Sequence, residues 1–151
     1  MKRFAFALQP VLEHRKRKED EKQLVVAVRK RALDEAEREL ARLNEEFRSN
    51  TAMLRRRHKE LDVREMQSFY AHLQFLDRCI VAQIRIVAER RVALDRARAD
   101  LLAASREKKV VEKLKERRRE AFVLEEQRIE QKELDDGNAR RYGRIQLGGR
   151  P

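Results

Sequence analysis

Tryptophan is absent from this chain of 151 residues, cysteine occurs once, proline twice and glycine four times. Each shortage excludes something. A lone Cys79 cannot close an intrachain disulfide, so the chain suits a reducing compartment, and the cytoplasm is the expected location. No histidine is placed to activate Cys79, and it reads as a passive thiol. The aromatics are two Tyr and six Phe, none interleaved with the basic runs. Such runs offer no stacking platform for single-stranded nucleic acid. Long apolar runs are missing too. The opening Phe4-to-Leu8 stretch ends at Gln9-Pro10 and is followed by the basic His14 to Lys18. It is too short for a secretion signal or a membrane span. Enzyme motifs are also lacking. His14, His58 and His72 are far apart, and there is no His-Glu-x-x-His, no cysteine pair and no Gly-rich phosphate loop. The expectation is a protein that is not an enzyme, with no catalytic residue, no metal and no cofactor.

What is abundant is charge. Asp, Glu, Lys and Arg make up 43% of the chain, with a net charge of +11. The excess invites a nucleic-acid or acidic-surface reading. Acids are nevertheless interleaved throughout, as in Asp34-Glu35-Ala36-Glu37-Arg38-Glu39. That is the pattern of solvated helix faces laced with ion pairs. Local basic clusters stand at His14 to Lys18, Arg55 to Lys59 and Lys113 to Arg119. They read as solvated faces or as contacts to an acidic protein partner. No specific nucleic acid is expected, though non-specific phosphate binding stays open.

The apolar residues recur every three, then four, places. From Ala5 to Leu61 this register has seventeen positions, of which eleven are apolar. From Met66 to Lys132 a second register has twenty, of which thirteen are apolar. A spacing averaging about 3.5 residues is the seam of a left-handed supercoil. Leu61 to Met66 is a step of five, so the first register does not continue into the second. An unbroken helix pairing with another copy is the alternative. The phase change and the unequal seams favour an all-α fold, with two long helices forming an antiparallel coiled-coil hairpin.

Pro10 suits the first turn of a helix, where a missing N–H is harmless. Helix one is expected over about residues 10–62 and helix two over about 67–135, in a single domain spanning 1–142. The turn falls at Asp62 to Ser68, with Ser68 or Asp62 as the cap of helix two. Asp136-Gly137-Asn138 reads as a helix stop, and residues 143–151 as a flexible tail. Asn50 falls on a seam position, where a polar residue fixes register.

Neither seam is uniform. Arg15, Glu19 and Lys22 interrupt the first; Lys108, Lys115 and Arg118 interrupt the second. Both interruptions lie toward the end carrying the termini, where Phe4, Phe6, Val11 and Val123 stand outside the main register. This end fits either insertion into a partner or a small apolar lock between the termini. Near the turn, the residues from Phe69 to Ile86 hold more apolar side chains than one seam requires. These form either a binding surface or a locally thicker core.

Four strings carry a resemblance. They are Phe4-x-Phe6-x-Leu8-x-x-Val11-Leu12-x-x-Arg15-x-x-x-Glu19; Phe69-Tyr70-Ala71-His72-Leu73-Gln74-Phe75-Leu76-Asp77; Arg106-Glu107-Lys108-Lys109 with Lys113-Leu114; and Glu126 to Asp136. In this order and at this length the chain resembles the FliJ family of the flagellar type III export apparatus. The Gly-rich tail after Tyr142 and Arg55-Arg56-Arg57 depart from the family's pattern. The resemblance implies a stalk-like antiparallel coiled coil at the cytoplasmic face of the inner membrane. Its partners would be a hexameric export ATPase, a membrane export-gate protein and, in some members, export chaperones. It would place Arg15, Lys16, Arg17, Lys18, Lys108, Lys109, Lys113, Lys115, Arg117, Arg118 and Arg119 toward the ATPase ring. It would place Phe69, Tyr70, Leu73 and Leu76 toward the gate. The injectisome stalk proteins share this periodicity. The rival reading is a basic coiled coil that binds nucleic acid or acts as a structural spacer.

Overall fold

A computed structural model of the chain describes residues 3–147. It contains two α-helices, α1 (Gln9–Arg57) and α2 (Val63–Leu147). The backbone N–H of Gln9 donates to the Phe6 carbonyl at 3.0 Å and that of Leu12 to the Leu8 carbonyl at 3.0 Å. Pro10 thus sits in the first turn, where its missing N–H leaves nothing unpaired. At the other end of α1 the Arg57 carbonyl accepts from Glu60 at 2.9 Å and Leu61 at 3.1 Å. These bonds satisfy a carbonyl the helix itself leaves open. Arg55, Arg56 and Arg57 fill the last turn, where cations complement the negative end of the helix dipole.

The connection covers residues 58–62, earlier than the 62–68 the sequence suggests. Asp62, not Ser68, caps α2. Its Oδ1 accepts from the Glu65 N–H at 2.8 Å, while Glu65 Oε2 accepts from the Asp62 N–H at 3.0 Å. This is a capping box, two free donors satisfied reciprocally. The helix therefore starts at Val63, and Ser68 lies inside it.

Asp136-Gly137-Asn138 does not end α2, which continues to Leu147. A glycine stop requires the left-handed conformation, and Gly137 does not adopt it. Held in the helix, glycine is unfavourable by only about 1 kcal/mol relative to alanine. Residues 143–147, expected in the tail, are thus helical. The last four residues of that tail, 148–151, lie outside the described residues.

Contacts gather the chain into two units, Arg17–Ser105 and Met1–Lys16 with Arg106–Pro151. Within the first, the buried residues Leu33, Ala36, Leu43 and Leu54 of α1 face Leu76, Val87, Leu94, Ala97 and Ala104 of α2. Every one lies on the registers read from the sequence. Leu33, Ala36, Val87 and Leu94 form one cluster, with Val26 and Leu40 packed on it. Each large aliphatic side chain so buried contributes about 1.5–3 kcal/mol. Polar seam residues fix the register. Gln83 Nε2 donates to the Ala36 carbonyl at 3.0 Å and Arg90 Nη1 to the Ala32 carbonyl at 2.6 Å. Asn50 makes no such crossing; its Nδ2 donates back to the Glu46 carbonyl of its own helix at 2.8 Å. Going up α2 from Gln83 to Arg90, the α1 partner steps down from Ala36 to Ala32, so the helices are antiparallel.

In the second unit Phe6 and Leu12 are buried. Phe4 meets Phe122 with ring centroids 5.7 Å apart, and Lys115 Nζ donates to Gln9 Oε1 at 2.9 Å. Here too the pairing is antiparallel. In each unit the two helices pack against each other, and no strand occurs among the described residues.

Candidate partner-binding surfaces

The basic residues singled out at the termini split into those employed within the protein and those left open. In the unit Met1–Lys16 with Arg106–Pro151, the Arg15 guanidinium pairs with the Glu107 carboxylate. Lys108 pairs with Glu112 at 3.9 Å, and Lys115 holds Gln9. Arg118 lies over the Phe6 ring, 5.9 Å from its centroid, a cation–π contact. The N-terminal aromatics thus form a lock on α2, with Arg118 and Phe122 as its other half. Arg119 lines a cleft of about 460 Å³ beside Phe4, Phe6, Gln9 and Lys115. Arg15, Lys108, Lys115 and Arg118 are tolerated on the seam because each long stem packs along it while its head finds a partner.

Lys109, Lys113 and Arg117 differ from these. They are exposed and recur every four residues, so they share one outward stripe of α2. None has an ion-pair partner among the described residues. Lys16 is likewise exposed. Arg17 and Lys18 belong to the other unit; Arg17 is exposed, and Lys18 is half-buried. The family resemblance groups all eleven cations toward one partner. The i, i+4, i+8 spacing of the open three was already visible in the sequence, but their lack of partners was not.

The apolar residues after the turn divide in the same way. Leu76 is 2% exposed and is a core residue; it holds the helices together and presents no surface. Phe69 and Leu73 are half-buried on the seam. Tyr70 is 54% exposed and Phe75 is 53% exposed. Val81 and Ile84, also exposed, share the Tyr70 flank of the seam, whereas Phe75 stands on the other flank. Phe75 walls a groove of about 470 Å³ that Glu39, Arg42 and Glu46 line from α1, with Leu76 and Cys79 also on its wall. His72 stacks on Phe75 at 6.4 Å, and its Nε2 is 3.5 Å from Glu46 Oε1. Phe75, outside the four residues the resemblance places toward the gate, is therefore better placed for contact than Leu76.

Among the described residues no three His, Cys, Asp or Glu side chains gather as a metal site. No described helix is long and apolar enough to cross a membrane. What the arrangement offers is binding: an exposed cationic stripe on one unit and an aromatic-walled groove on the other.

Comparison with known proteins bears on what binds. The profile of the family described as "Flagellar FliJ protein" matches residues 4–147. A protein of Chlamydia trachomatis, CT670, described as a YscO homolog, has a similar structure, with a TM-score of 0.52 and 20% sequence identity. The match covers 98% of this chain and 100% of that one. At that identity it speaks to the fold. No curated protein matches the chain.

Proposed function

The chain belongs to the flagellar FliJ protein family, and on that premise we propose that it is an accessory stalk of the export apparatus. In this reading it binds the hexameric export ATPase ring and the membrane export gate, and so promotes ring assembly, ATPase activity and protein export. It works at the cytoplasmic face of the inner membrane, and export chaperones are further partners.

The stripe of Lys109, Lys113 and Arg117 carries the ring assignment. Three exposed cations on one helix face, with no acid satisfying them, suit an acidic protein surface. Binding alone supplies the mechanism: a stalk that contacts ring states unequally shifts their populations. The gate assignment rests on Tyr70 and Phe75, exposed on either flank of the half-buried Phe69 and Leu73. Aromatic side chains of this kind anchor interfaces by filling pockets on a partner.

The test is the ATPase rate of a purified hexameric export ATPase with and without this chain. Stimulation is expected. The variant Lys109→Glu, Lys113→Glu, Arg117→Glu should weaken ring binding on the order of tenfold with helicity unchanged. Full stimulation by that variant would refute the ring assignment. Tyr70→Ala with Phe75→Ala should abolish motility while leaving stimulation intact; loss of both would merge the two surfaces into one. Tight, steeply salt-dependent DNA binding without any ring contact would favour the nucleic-acid alternative instead.

A further inference from the structure

Beyond Glu126, α2 continues to Leu147 with every residue whose side chain is described exposed to solvent. A lone helix of this length is marginal in water, and this one carries Asp136-Gly137-Asn138, three poor helix formers, in its middle. Residues 124–146 include eleven charged side chains. One stripe of the helix nevertheless carries no charge at all.

Leu134, 62% exposed, lies at the midpoint of that stripe. Outward from it come Gln131 and Asn138, then Gln127 and Tyr142, then Leu124 and Ile145. Their spacings of three and four residues keep all seven within a sector of about 80° on an ideal helix. The order reads symmetrically about Leu134: amide with amide, then polar with polar, then aliphatic with aliphatic. The flanking charges are symmetric in a complementary sense. On one side of the stripe Glu126 and Glu130 precede the midpoint, and Arg141 and Arg144 follow it. None of these four has an ion-pair partner among the described residues.

The geometry points to this segment as a docking surface for a second copy of the same chain, lying antiparallel across a twofold axis at Leu134. Antiparallel pairing brings like flanks together, so Glu130 of each copy meets Arg141 of the other and Glu126 meets Arg144. Leu134 packs on its own counterpart. Gln131 meets Asn138, Gln127 meets Tyr142 and Leu124 meets Ile145. Such an interface is isologous and closes on itself. Gln131 Nε2 already donates to Asp135 Oδ1 at 3.1 Å, which leaves its Oε1 to accept from Asn138. A parallel pair would instead set Glu126 and Glu130 against the opposite flank, where Asp135 lies. Against the pairing, Asp135 nears its own counterpart across the twofold, with Lys132 three residues away to offset it. The apolar content is small, so the dimer is weak. This pairing does not depend on the ring or gate assignment.

Sedimentation equilibrium of the full chain, from micromolar to near-millimolar concentration, tests it. A monomer–dimer equilibrium is expected, weakened by added salt because the flanking pairs are exposed. Glu130→Arg alone and Arg141→Glu alone should each weaken dimerisation about tenfold, since each turns two attractive pairs repulsive. Mixing these two variants restores complementary pairs on both sides and should recover a heterodimer. With Cys79→Ser as background, Leu134→Cys should crosslink to itself. Leu124→Cys should crosslink to Ile145→Cys and not to itself. A chain monomeric at every concentration overturns the proposal. So does a dimer indifferent to the charge exchanges, or one that crosslinks through Leu124→Cys alone.

Discussion

Leu94 shows how little material holds this protein together. It is 3% exposed in the cluster with Leu33, Ala36 and Val87. Leu94→Ala should lower stability by about 2–4 kcal/mol in urea unfolding, whereas Val92→Ala, two residues away and exposed, should change it by under about 0.5 kcal/mol. Equal effects would mean that the seam does not run where the burial places it. Leu76 obeys the same rule, so Leu76→Asp should unfold its unit and cannot serve as a clean probe of partner binding. In the sequence this residue stood both in the seam register and in the apolar surplus, and packing alone chose between them. Glu39 and Arg42 give a second test at this scale. The Arg42 guanidinium reaches both Glu39 carboxylate oxygens, at 2.9 and 2.7 Å, and also Glu46 at 3.1 Å. That hydrogen bond holds the Glu39 carboxyl below its ordinary 4.5, against a smaller opposing effect of desolvation. A lowered carboxyl pKa stabilises the fold above the unfolded value and loses that effect as pH falls through the folded value. The contribution is thus complete at neutral pH and fades below 4.5. Arg42→Ala should return Glu39 toward 4.5 in an NMR titration. An unmoved titration would mean that the pair does not form in solution.

The ends of the helices, rather than their interiors, were hard to read. The interiors, as far as Asp135 in α2, follow from the absence of breakers and the seven-residue pattern. The α2 start was written as Asp62-x-x-Glu65, a legible capping signal that competed with Ser68. Only the paired hydrogen bonds at 2.8 and 3.0 Å decided it. Asp62→Ala should destabilise the helix start by about 1 kcal/mol, read as faster amide exchange over its first turn. No change there would place the true cap at Ser68. The expected stop at Gly137 failed because glycine ends a helix only when its backbone turns left-handed, which Gly137 does not do. A Cβ added at Gly137 meets nothing within 4 Å. Gly137→Ala should therefore raise helicity and stabilise α2 by roughly 0.5–1 kcal/mol. A loss of helicity would show that glycine is required there for close approach of another chain.

For the chain as a whole, net charge is +11 and 43% of residues are charged, and the buried side chains of the unit Arg17–Ser105 lie on the packed stripe between its helices. Amide exchange should follow that stripe. Protection should be highest around Leu33, Val87 and Leu94 and lowest over residues 127–147, when measured in dilute solution. Uniform protection would contradict the burial pattern. The amino-acid order by itself determined the helical class, both seams, the absence of enzyme motifs and the family, because periodicity and motif order are properties of one strand read alone. Tertiary structure decided which cations are spent on internal partners and which stay open, that Leu76 faces the core while Tyr70 and Phe75 face outward, and where the turn closes. The physical reason is that burial and pairing depend on what lies across the interface, and no residue carries that information until the second helix is in place.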